Sequence, residues 1–218
     1  MTTDRFNRLL PLAGVVAGLA IIAGLVLSGA EPADDATSAK IVAYYSDHKA
    51  ALQISALCAQ VAAVALLFFA AGLRTSLRSR ETGEASYSTL ALAGAVVTAL
   101  GLSFFGWTTL AAVKAVENGS QASVAETIHL VGSYAWMPWA VGAATMLIGA
   151  GLGGLRTVAL PRPLAWITVA LGVIALTPGG PITFALLPLW LIGTGIVLAR
   201  ADRRMPAASS PATASAAY

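Results

Sequence analysis

Apolar residues in this chain fall into blocks of membrane-spanning length, separated by short polar segments, and that pattern restricts the fold more than any motif does. The blocks cover about residues 9–27, 50–73, 90–113, 129–155, 164–177 and 182–199. A hydrocarbon core of roughly 30 Å calls for about 20 helical residues, and it demands that every backbone polar group be bonded within the protein. The alternation of a β-barrel is absent, so helices are the spanning elements. Composition agrees: 57% of the residues are hydrophobic and 11% charged, against roughly 25% charged in a soluble domain. The expected fold is an all-α integral membrane protein. It comprises a bundle of six transmembrane helices within residues 1–204, with a short extracytoplasmic interfacial helix between the first two. Residues 205–218, rich in Ala, Ser, Pro and Thr, have little to bury and read as a disordered cytoplasmic tail.

Charge sets the expected orientation. With both termini in the cytoplasm, all ten arginines lie inside, and the three lysines, Lys40, Lys49 and Lys114, lie outside. The net charge of +3 therefore reports membrane orientation and not nucleic-acid affinity. Cys58 is alone, which excludes an intramolecular disulfide. Ser28 and Ala30 offer small residues at signal-peptidase positions, but the first block exceeds the roughly 7–15-residue core of a signal peptide, so a retained anchor is expected.

The fourth block carries the most distinctive side chains. Glu126 and His129 precede Ser133-Tyr134-Ala135-Trp136-Met137-Pro138-Trp139, and a Gly-rich run to Arg156 follows. On a continuous helix His129, Ser133 and Trp136 share a stripe with Trp139 beside it, while Gly142, Gly149 and Gly153 lie on nearly the opposite face. Pro138 frees the carbonyl of Tyr134 and predicts a kink, after which the two faces need not stay opposed. In the second block Gln53 and Gln60 share a face, and an unpaired amide is costly in hydrocarbon. That stripe turns inward, either to bond another helix or to line a solute cavity.

Gln53, Pro138 and Pro188 all fall in the outer halves of their blocks, which suggests an outward-facing vestibule. Its candidate lining or ligand-binding residues are His48, Gln53, Gln60, His129, Ser133 and Trp136. His48 and His129 are the only histidines, each near the outer end of a block, and a haem or metal held between them is the lesser alternative. No Asp, Glu, Lys or Arg interrupts any block, which argues against proton relays and charged-substrate pumping. The sequence also lacks a phosphate-binding Gly-Lys loop, a His-Glu-x-x-His and a Gly-x-Ser-x-Gly elbow, so no catalytic residue is assigned.

The stretch Ala39-Lys40-Ile41-Val42-Ala43-Tyr44-Tyr45-Ser46-Asp47-His48 leads into the second block, and Leu160-Pro161-Arg162-Pro163-Leu164-Ala165-Trp166 leads into the fifth. Both resemble uncharacterised multi-pass integral membrane proteins of high-GC Gram-positive bacteria, over most of residues 9 to 200. The resemblance implies a six-helix protein of the bacterial cytoplasmic (inner) membrane and carries over no activity, cofactor or catalytic residue. The expected function is that of a non-catalytic accessory or partner-binding membrane protein. Its expected neighbours are the lipid bilayer and a membrane-protein partner or second copy, with no nucleic acid. The alternative is a binder or carrier of a neutral or apolar small solute.

Overall fold

A computed structural model describes residues 9–82 and 86–204, with side chains through residue 201. The expected tail over 205–218 lies outside the described residues. A 3-10 turn at Leu10–Leu12, which accommodates Pro11, leads into α1, Ala13–Ser28. There follow α2 (Ser38–Asp47), α3 (Lys49–Arg78), α4 (Tyr87–Glu117), α5 (Ala122–Ser133), α6 (Trp136–Thr157), α7 (Arg162–Ala175) and α8 (Gly180–Arg204). Among the described residues there is no strand.

Among the described residues five stretches are long and apolar enough to cross a membrane: Leu10–Ser28, Lys49–Arg78, Tyr87–Glu117, Ala122–Thr157 and Gly180–Ala201. The sixth apolar element, α7, has 14 residues and rises only about 21 Å, short of the hydrocarbon thickness. The helices α1, α3, α4, α6, α7 and α8 pack in that order, and α8 closes the ring against α1. Leu66, Phe69, Met146, Leu147, Leu187 and Leu191 fill its centre, each almost fully buried. Small residues let the backbones approach. Gly94 of α4 faces the backbone of Met146 and Gly142 on α6, leaving no room for a β-carbon.

With 30 and 31 residues, α3 and α4 are each about 45 Å long and outreach their neighbours at one end. There α2 and α5 pack on each other and on α4. Ile41, Tyr44, Tyr45, Leu52, Ala112 and Val113 make a second, smaller apolar cluster at that end. This cap stands opposite the end bearing Arg74, Arg78, Arg80, Arg156, Arg162 and Arg200.

The expected fourth span, 129–155, is not one helix. Helical geometry stops at Ser133 and resumes at Trp136. The ring of Pro138 obstructs the carbonyl four residues back, that of Tyr134, so the chain tightens there instead of continuing. The Tyr134 carbonyl is not left free, since it accepts the N–H of Met137 at 3.1 Å; likewise Gly132 accepts from Ala135 at 3.0 Å. The break sends α5 to the cap and leaves α6 in the ring. Pro188 behaves differently, for α8 runs through it, and Gly18 of α1 lies so close to its carbonyl that a β-carbon would sit 2.5 Å away.

Candidate functional site

A cavity of about 260 Å³ opens where α4, α6 and α8 converge beneath the cap. Its origin is the break between α5 and α6. At Gly101 the α4 backbone meets Trp139 so closely that a β-carbon would stand 2.8 Å from the tryptophan Cα, which clamps the two helices together. Just beyond that clamp the chain turns away at Tyr134–Ala135, and the departing α5 leaves a gap. Leu102 and Phe105 of α4, Ser133, Trp136 and Trp139 around the break, and Phe184 of α8 line it. Toward the arginine end the ring is filled solid. Phe69 and Trp190 meet edge to face at 5.8 Å, and the Trp190 indole N–H donates to the Thr168 hydroxyl at 2.7 Å.

The two buried tryptophans thus differ. Trp139 is 2% exposed, yet its indole N–H has no oxygen or nitrogen acceptor. Its ring packs edge to face on Phe184, 4.9 Å away and inclined by 77°.

Among the described residues Glu31 is the only ionisable one on the lining. Its position follows from the end of α1: Gly29 adopts φ +65°, turning the chain back across the bundle at Ala30–Pro32. The carboxylate keeps an accessible edge, but the protein enclosing its other sides raises its pKa, an effect that positive charge on the nearby His129 opposes. The same loop is tied down by buried hydrogen bonds. The Tyr44 hydroxyl donates to the Ser28 carbonyl at 2.8 Å. His129 lies 3.2 Å from the Pro32 carbonyl through Nε2 and 3.1 Å from the Tyr45 hydroxyl through Nδ1. Since a carbonyl only accepts, Nε2 carries the proton, and in the neutral ring Nδ1 accepts from Tyr45. Burial, then the charge of Glu31, pushes both tyrosine hydroxyls well above their ordinary pKa, so they remain donors.

Of the residues singled out in the sequence, Ser133 and Trp136 line the cavity. His129, 4% exposed, anchors the loop above it instead. Gln60 donates its amide to the Ser103 carbonyl of α4 at 3.0 Å and so joins two helices. Gln53 is half-buried and off the lining. His48 is exposed, tilted against the Tyr44 ring at 5.1 Å, with Nδ1 donating to the Tyr44 carbonyl at 3.1 Å. The two histidines are therefore engaged separately, and Glu126 accepts the Ser38 hydroxyl at 2.7 Å. Among the described residues no group of three or more His, Cys, Asp or Glu could hold a metal ion.

Sequence reasoning missed Glu31, Phe105 and Phe184 as lining residues, and it left Trp139 beside the stripe. Glu31 falls in a loop that also holds Asp34 and Asp35, where nothing local distinguishes it. Phe105 sits with Phe104 and Trp107 in what reads as an aromatic belt; Trp107 does point outward, at 66% exposed, while Phe105 turns in. No protein-family model, curated protein or solved structure matches the chain.

Proposed function

We propose that this is a six-span protein of the bacterial cytoplasmic membrane, both termini inside, which binds or carries an apolar small molecule in a cavity at its outer end. The orientation rests on the arginines at one end of the bundle and Lys40, Lys49 and Lys114 at the other. In this topology α7 crosses as a short helix between Arg162 and the outer turn at Thr177–Gly180, packed on α6 and α8 with its other side exposed. The extra length of α3 and α4 lifts α2 and α5 to the outer headgroup level, where α2 lies as an interfacial helix. Exposed Leu, Val and Ile side chains face lipid, and Trp107 and Trp166 mark the two interfaces.

The observation that carries the binding role is the aromatic cavity under the cap, lined by Phe105, Trp136, Trp139 and Phe184. Small-molecule sites are concave and mostly apolar, with few polar groups, and this one has that make-up near the lower end of the usual size range. The test uses 1-bromo-4-butylbenzene, whose bromine quenches tryptophan emission. In nanodiscs, full-length protein carrying Trp107→Phe and Trp166→Phe should show saturable quenching of its remaining tryptophans. Ser133→Phe, which fills the cavity, should abolish saturation. Quenching that rises linearly in both proteins would report lipid partitioning alone and sink the reading.

A further inference from the structure

The lining of the cavity is chemically lopsided. Four aromatic side chains, Phe105, Trp136, Trp139 and Phe184, surround a space whose single ionisable group, among the described residues, is the carboxyl of Glu31. Among the described residues Glu31 forms no ion pair, and the arginines of the bundle are at its far end. His129, the nearest basic side chain, has both ring nitrogens committed to Pro32 and Tyr45. A carboxylate at the mouth of a cavity attracts positive charge, and so do the aromatic faces that wall the cavity. We propose that the ligand is an organic cation: an apolar body of one or two rings held among the aromatic side chains, with a protonated or quaternary nitrogen at Glu31.

This inference rests on the cavity being a binding site and adds the chemistry of its occupant. Size supports it, because about 260 Å³ accommodates a small ring-bearing molecule. Electrostatics supports it too. Protein around Glu31 raises its pKa, and a cation seated beside it opposes that shift. The position of the acid is also suitable. It sits at the mouth, next to the loop that His129, Tyr44 and Tyr45 hold in place, so the charged end of a ligand stays near water while the rings enter the bundle.

The experiment compares 4-phenylbutylammonium with 4-phenylbutan-1-ol as competitors of 1-bromo-4-butylbenzene. It uses full-length protein in zwitterionic nanodiscs, so that lipid charge does not concentrate the amine. The ammonium compound should displace the probe at roughly tenfold lower concentration than the alcohol, the scale of one ion pair joined by a cation–π contact. Glu31→Gln should reduce that ratio to about one, and thermal unfolding of the variant in the same nanodiscs checks that it is folded. Equal potency of the two compounds on the wild-type protein overturns the cation and leaves the apolar cavity standing. A probe that Ser133→Phe does not exclude removes the cavity, and the cation with it. Should Glu31→Gln fail to fold, the wild-type ratio still decides.

Discussion

At the residue scale, acidic side chains in similar loops do different work according to their neighbours. Glu31 lacks a cation and sits against a cavity. Glu81, after α3, accepts the Ser88 backbone N–H and the Ser88 hydroxyl, each at 2.7 Å, with Arg78 at 3.5 Å. It thereby caps the first turn of α4, where a negative charge suits the helix dipole. Burial alone would raise the pKa of Glu81, but the two Ser88 bonds and Arg78 outweigh it and hold the carboxyl below its ordinary value. The sign follows directly. The stabilisation is complete above the ordinary carboxylate pKa and is lost as the pH falls through the lowered folded one. Glu81→Gln should cost about 1 kcal/mol at neutral pH. Thermal unfolding of the two proteins should show the gap shrinking as the pH falls below the ordinary carboxylate range; a gap that is constant with pH would mean the charge is irrelevant to the cap.

At the element scale, proline and glycine are informative by position and not by count. Pro138 ends a helix and creates a cavity, whereas Pro188 sits inside an unbroken α8. Glycines divide in the same way. Gly94 is pressed against the α6 backbone, while a β-carbon on Gly193, which faces outward, would meet nothing within 4 Å. Gly94→Leu should force α4 and α6 apart at a cost of about 3 kcal/mol. Gly193→Ala should instead be neutral or stabilise by up to about 1 kcal/mol, through helix propensity alone. Unfolding of the two variants in the same detergent checks the contrast, and equal effects would refute the assigned helix contact.

At the scale of the whole molecule, the cap and the arginine end give the protein two chemically distinct faces. With Cys58 replaced by Ala, a membrane-impermeant maleimide should label Ser120→Cys on intact cells and Ser79→Cys only after lysis. Both positions are exposed, one in the turn after α4 and the other after α3. The reverse pattern would invert the bundle and place the cavity on the cytoplasmic side. The long α3 and α4 matter at this scale as well, because the part of them that overshoots the ring gives α2 and α5 an apolar surface to cover.

Helix content and membrane-spanning length were legible in the sequence because they depend on local composition: apolar residues in uncharged runs have to satisfy their backbones internally wherever water is absent. The α2 helix was legible for a similar reason, since Ile41, Tyr44 and Tyr45 repeat at helical spacing. The packing of Trp139 with Gly142 was not, because their side of the helix could be assigned only once the break at Tyr134–Ala135 was known. Whether Gln60 would bond a helix or line a cavity depended on the Ser103 carbonyl lying opposite, 43 residues away. The same holds for Glu31, Phe105 and Phe184, which come from three separate elements and meet at one cavity. A local rule fixes the conformation of a segment and the medium it suits; the neighbours of a side chain depend on how distant helices are clamped, here at Gly101 and Gly94, and only the tertiary structure decides that.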